Sequence, residues 1–142
     1  MNPEILPTIL LVEDDDVAAE SVVRSLQKHG CHYPVVWAED GLAALQILRD
    51  EDSSRVVPRP RLILLDLNMP RMDGFEFLQQ LRSDPKLRGD VVFILTTSNA
   101  DTDRTRAYHE CIAGYMVKSA VGPQFIKLVS LLDSYQNAVR FP

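Results

Sequence analysis

The chain has 142 residues, 46% hydrophobic and 25% charged, and fifteen basic residues against twenty acidic ones give a net charge of −5. That length suits one domain over residues 1–142, and an acidic chain without a basic stripe excludes the usual phosphate-gripping nucleic-acid binder. No apolar run approaches the roughly 18 residues that a membrane span requires, and Met1-Asn2-Pro3-Glu4-Ile5-Leu6-Pro7 lacks the regions of a secretory signal, so a cytoplasmic location is expected.

The first apolar run, Ile9-Leu10-Leu11-Val12, is followed by Glu13-Asp14-Asp15-Asp16. Asp15 or Asp16 is placed to cap a helix that carries Val22 and Leu26 on one face and stops at Gly30. His29, Cys31 and His32 are crowded enough to suggest a soft metal, but no fourth ligand is near. The segment reads instead as a helix end and a turn into the next run, Val35-Val36-Trp37-Ala38. With Cys31 and Cys111 far apart, reduced thiols are expected. Asp40-Gly41 then leads into a helix over residues 42–48, and the polar, proline-bearing stretch 51–60 is a surface loop.

Leu62-Ile63-Leu64-Leu65 ends in Asp66, and Phe75, Leu78 and Leu81 mark a third helix. Val91-Val92-Phe93-Ile94-Leu95 ends in Thr96, and Ser98 or Asn99 is placed to cap a fourth helix. Tyr115-Met116-Val117 ends in Lys118. Pro123 suits the first turn of a fifth helix, on which Phe125, Leu128, Val129 and Leu132 share a face.

Continuous apolar runs are what strands buried on both faces show. Five of them alternating with helices predict an α/β fold, a doubly wound five-stranded parallel sheet with right-handed crossovers. Precedent for five units gives the flavodoxin-like order 2-1-3-4-5, which the pattern alone leaves open. In that order the switch point lies between strands 1 and 3, so Glu13, Asp14 and Asp66 converge on one crevice at the carboxyl ends of the strands.

Carboxylates that close repel one another unless a cation joins them. All-oxygen ligands suit Mg²⁺, which favours sites where a phosphate completes its shell. A carboxylate that attacks a phosphoryl group forms an aspartyl phosphate. The charge spread over the phosphoryl oxygens is then stabilised by positioned cations, here Mg²⁺ and the Lys118 ammonium, with the Thr96 hydroxyl as a donor. For Asp15 and Asp16, helix capping is the better reading.

The run Leu64-Leu65-Asp66-Leu67-Asn68-Met69-Pro70-Arg71-Met72-Asp73-Gly74 resembles the phosphoacceptor segment of two-component response regulator receiver domains. Val12-Glu13-Asp14, Leu95-Thr96 and Gly114-Tyr115-Met116-Val117-Lys118 resemble that family's other motifs, in order, across about residues 7–136. The resemblance implies phosphorelay signalling, with Asp66 taking a phosphoryl group from the phosphohistidine of a sensor histidine kinase. It implies direct Mg²⁺ binding by Asp14, mainly water-mediated binding by Glu13, and a backbone carbonyl from Asn68. Lys118 would contact the phosphoryl group, Thr96 and Tyr115 would form the switch, and Asn68 and Ser98 would tune phosphoryl lifetime. A phosphoacceptor of this kind is not an enzyme, although it assists its own phosphorylation and dephosphorylation.

More narrowly, Asp40-Gly41-Leu42-Ala43-Ala44, the stretch from Arg59 to Asn68, Leu95-Thr96-Thr97-Ser98 and Lys118-Ser119 are similar to stand-alone regulators paired with phytochrome-type histidine kinases. That likeness implies no output domain, and a homodimer through the helix 4–strand 5–helix 5 face. Where most receivers have proline after the strand-5 lysine, this chain has Ser119, so a trans Lys118–Ser119 bond is expected. Tyr115 reads equally as a half-buried core aromatic. Residues 100–111 hold few apolar side chains, chiefly Ala107, Tyr108 and Cys111, which suits either an element that moves or a plain solvated helix.

Three rivals stand beside this reading. An aspartyl-phosphate-forming phosphatase needs a second Asp where Asn68 stands and carries its nucleophile on the first strand. A flavodoxin needs a Ser/Thr/Gly-rich phosphate cradle where Glu13-Asp14-Asp15-Asp16 stands. A degenerate receiver, acting as a phosphorylation-independent interaction module, would not need the intact site.

Overall fold

The computed structural model describes residues 6–69, 71–118, 130–132, 134 and 142. Five strands, β1 (Thr8–Val12), β2 (Val35–Ala38), β3 (Arg61–Leu65), β4 (Val91–Thr96) and β5 (Gly114–Val117), alternate with four helices. These are α1 (Asp16–Lys28), α2 (Gly41–Leu48), α3 (Gly74–Ser83) and α4 (Asp101–His109). Residues 130–132 and 134 are also helical. The sheet is parallel throughout, in the order β2-β1-β3-β4-β5. This is the expected order, with β1 and β3 side by side at the switch point.

The continuous apolar runs have a simple cause. Successive side chains of a strand point to opposite faces, and both faces are covered. Leu10, Val12, Ile63, Leu65, Val92 and Ile94 pack with α2 and α3 on one side. Ile9, Leu11, Leu62, Leu64, Phe93 and Leu95 pack with Ala19, Val22 and Leu26 of α1, and with Leu132, on the other. The edge strands β2 and β5 are only partly buried.

Helix starts follow the aspartates. Asp15 caps α1 by accepting from the Val17 and Ala18 amides, Asp40 caps α2 from Ala43, and Asp73 caps α3 from Glu76. The start of α4 departs from expectation. Its N-cap is Ala100, whose methyl side chain cannot accept a cap bond; the Ser98 hydroxyl donates to Asp103 (2.5 Å) and accepts from the Ala100 amide (3.4 Å), just outside the helix. α1 ends just before Gly30, whose φ is 89°. The 51–60 loop is pinned by Arg55, which donates to Asp52, Glu39 and the Trp37 carbonyl.

At the amino ends of the strands, Arg61 and Asp90 form a buried two-pronged ion pair at 2.9 Å on each arm. Among the described residues no helix is long and apolar enough to cross a membrane. The Lys118–Ser119 bond, Pro123, Phe125, Leu128 and Val129 lie outside the described residues.

Candidate functional site

Parallel register puts the strand ends level. Val12 pairs with Leu65, and Leu65 with Ile94, so the next residues, Glu13 and Asp66, leave the sheet side by side. The Asp66 amide donates to the Val12 carbonyl (3.0 Å) and the Glu13 amide to that of Ala38 (3.0 Å). Both residues are held by their backbones before any side chain acts.

Asp66 is buried, at 6% exposure. Its Oδ1 accepts from the Thr96 hydroxyl at 3.0 Å and from the Asn68 amide at 3.2 Å. Its Oδ2 faces the Lys118 ammonium at 3.4 Å. Lys118 also forms an ion pair with Glu13 Oε2, while Glu13 Oε1 accepts from the Asp15 amide at 3.3 Å. Carboxylate oxygens of Glu13, Asp14 and Asp66 lie within 4.8 Å of one another, the one such grouping of potential metal ligands among the described residues. Glu13 and Asp66 are buried and Asp14 is exposed, so the cluster has a floor and an open mouth.

The electrostatics follow from that packing. Burial pushes the Glu13 carboxyl up to about 7; the Lys118 hydrogen bond pulls it down and the Asp66 charge pushes it further up. For Lys118, burial works against the ammonium, yet the hydrogen bond that it donates to Glu13 and the charges of Asp66 and Glu13 leave it raised. Three carboxylates facing one ammonium leave an excess of negative charge, and an all-oxygen set open to water on one side fits a hard divalent cation.

Beyond the crevice, Thr96 is fully buried and its oxygen accepts from the Ser98 amide at 3.4 Å. The Tyr115 hydroxyl donates to the Ser98 carbonyl at 3.0 Å, and its ring packs against the core. Burial, the largest influence, raises the Tyr115 hydroxyl above its ordinary value. Tyr115 is thus a half-buried aromatic that also holds the loop after β4.

The structure brings Glu13, Asp14, Asp66, Asn68, Thr96 and Lys118 together, with Ser98 and Tyr115 adjoining them through Thr96. Sequence reasoning missed three contributors. Trp37 donates its indole N–H to the Glu13 carbonyl at 2.7 Å, Asp103 holds the Ser98 hydroxyl, and Arg71 pairs with Asp40. In sequence, Trp37 is only an apolar strand residue and the other two are ordinary surface charges.

The sequence model of the response regulator receiver domain family matches residues 9–130. The chain belongs to this family. The receiver is 40% identical to the probable methanogenesis regulatory protein FilR2 of Methanothrix harundinacea, over 78% of this chain and 70% of that one. It is 35% identical to the response regulator Rcp1 of Synechocystis sp., over 89% of this chain and 86% of that one. The solved Mn²⁺-bound form of Rcp1 superimposes with a TM-score of 0.79 and 34% identity, covering 96% of this chain and 99% of the other. The phosphorylated cyanobacterial phytochrome response regulator RcpA superimposes with a TM-score of 0.81 and 32% identity, covering 97% and 99%. The chain is thus a phosphorelay receiver, similar to a cyanobacterial phytochrome response regulator, and the phosphatase and flavodoxin readings fall away.

Proposed function

We propose that Asp66 is the phosphoacceptor of this receiver and that a sensor histidine kinase, of the phytochrome type, is the donor. The observation that carries the proposal is the Asp66 carboxylate, hydrogen-bonded by Thr96, faced by Lys118 and adjoined by Glu13 and Asp14. In the transfer, an Asp66 oxygen bonds to phosphorus, the nitrogen–phosphorus bond breaks, and the imidazole leaves with the electron pair and takes up a proton. Lys118 and Thr96 then hold two phosphoryl oxygens by charge and by hydrogen bond.

Glu13, Asp14, Asp66 and the Asn68 carbonyl would hold Mg²⁺, which neutralises the charge that gathers on the phosphoryl group. The similarity to Rcp1, solved with Mn²⁺, supports a divalent cation here. Ser98 and Asn68, beside the cluster, would govern water access and so phosphoryl lifetime. The chain is a substrate of its kinase and turns over no substrate of its own.

The output is a change in the helix 4–strand 5–helix 5 face expected from the sequence, which also suits a homodimer. A path of bonded groups leads there from Asp66 through Thr96 and Ser98 to Asp103 on α4 and Tyr115 on β5. α4 buries only Ala107, so a small bias suffices to shift it. The proposed location is the cytoplasm, where such kinases present phosphohistidine.

Incubation with acetyl phosphate and Mg²⁺, read by intact mass, tests the proposal. One alkali-labile phosphoryl group is expected on the wild type and none on Asp66→Asn. Equal labelling of the variant would contradict it.

A further inference from the structure

The loop between β3 and α3 carries Asn68, and its far end rests on a different helix. Its two ends are pinned together. The Gly74 amide donates to the Leu67 carbonyl at 3.0 Å, and a Cβ on Gly74 would stand 2.7 Å from the Asp66 carbonyl oxygen and from Leu67 Cα. At the tip, Arg71 has a φ of 64°. This left-handed conformation is uncommon for a residue other than glycine, asparagine or aspartate, and it persists only where surroundings enforce it.

What enforces it is visible. The Arg71 guanidinium reaches Asp40, with Nε at 2.7 Å from Oδ2 and a second nitrogen on the same oxygen. Asp40 is the cap of α2, buried at 3% exposure, and its other oxygen takes the Ala43 amide at 2.8 Å. Beside this pair, the Gly41 amide meets the Met72 carbonyl at 3.3 Å. A Cβ on Gly41 would come within 2.9 Å of Met72. The loop tip is therefore seated on the start of α2 by one backbone contact and one charged latch. Of the latch's two side chains, Arg71 is 63% exposed and Asp40 only 4%.

We infer that Arg71 and Asp40 are positioning residues for cation binding: their ion pair holds the 67–73 loop so that Asn68 stays in place beside Asp66. The inference rests on the cation site proposed above. Neither side chain touches that site. Their effect passes through the loop backbone, as outer partners commonly orient the groups that bind a metal. Without the latch, the ends of the loop remain tied at Leu67 and Gly74, but the tip is free to leave α2. Asn68 then samples positions away from the carboxylate cluster, and the cation loses a ligand for part of the time.

The test measures Mn²⁺ affinity, by the resonance of unbound Mn²⁺, in wild type, Arg71→Ala, Arg71→Lys, Asp40→Asn and the double variant Asp40→Asn/Arg71→Ala. Asparagine caps a helix about as well as aspartate, so Asp40→Asn removes the charge and leaves α2 intact. Arg71 is exposed, and circular dichroism confirms folding of each protein. Arg71→Ala and Asp40→Asn are expected to weaken Mn²⁺ binding, by about tenfold if the latch acts as outer-shell partners typically do. Lysine at 71 should restore part of the loss, and the double variant should be no weaker than the worse single one, as for two halves of one interaction. The amide signal of Asn68 should shift in the single variants even without metal. Wild-type affinity in a folded Arg71→Ala, or losses that add in the double variant, would overturn the latch. A wild type that binds no Mn²⁺ would overturn the cation site itself, and the latch with it.

Discussion

The buried Glu13 carboxyl makes the metal-free receiver sensitive to pH in a way that can be worked out. Its ordinary value of 4.5 is pushed up to about 7, chiefly by burial, against the Lys118 hydrogen bond and with the Asp66 charge. A carboxyl raised in the folded state keeps its proton there after the unfolded chain has lost it. Its stabilising contribution is therefore present at low pH and disappears as pH rises from about 4.5 through about 7. Single-site linkage, discounted for solvent at the open mouth, gives a loss of about 1 kcal/mol between about pH 6 and about pH 8. Urea unfolding in a chelator, at both pH values, measures it. The wild type should lose about 1 kcal/mol more than Glu13→Gln, a comparison that cancels the histidines. Mg²⁺ should remove that excess, because the cation takes the place of the proton. Parallel pH dependences in the two proteins would refute the reasoning.

Other outcomes follow from separate parts of the molecule. Asp90→Ala, which strands the buried Arg61 guanidinium, should cost about 3–5 kcal/mol in urea unfolding while leaving phosphoryl uptake by the folded protein unchanged. The single tryptophan, Trp37, is bonded to the Glu13 carbonyl, so its fluorescence should shift on Mg²⁺ titration, and Asp14→Asn should move that titration to higher Mg²⁺. Asp103→Ala, which frees the Ser98 hydroxyl, should speed amide exchange over residues 101–109 and shrink the exchange difference between phosphorylated and unphosphorylated protein. An unchanged difference would separate α4 from the Thr96–Ser98 path.

The strands were legible because both faces of the sheet are covered, which leaves continuous apolar runs with the reactive residues immediately after them. Glu13, Asp66, Thr96 and Lys118 inherit their positions from β1, β3, β4 and β5, so finding the runs located the site. The α1 cap was legible because Asp15 acts on amides two and three residues ahead; Asp40 and Asp73 cap α2 and α3 in the same local way, beyond what the sequence reading named. The start of α4 differs because the helix begins at Asp101, which puts the cap position on Ala100, a residue that cap rules do not favour. Arg71–Asp40, Trp37–Glu13 and the Arg106 guanidinium over the Phe75 ring, 4.0 Å from its centre, stayed hidden for a different reason. Each joins segments 24 to 31 residues apart, and only strand register and helix placement bring them together. The sequence order of the strands was likewise a matter of precedent, since apolar runs do not say which neighbours pair.

The most direct measurement asks which carboxylate carries the phosphoryl group. The receiver is phosphorylated with acetyl phosphate and Mg²⁺, reduced with borohydride, which converts an aspartyl phosphate to homoserine, digested, and sequenced by mass spectrometry. Homoserine at position 66, with Asp14 and Glu13 recovered unchanged, is the predicted result. Homoserine at position 14, or no conversion at 66 in a fully phosphorylated sample, would contradict the account.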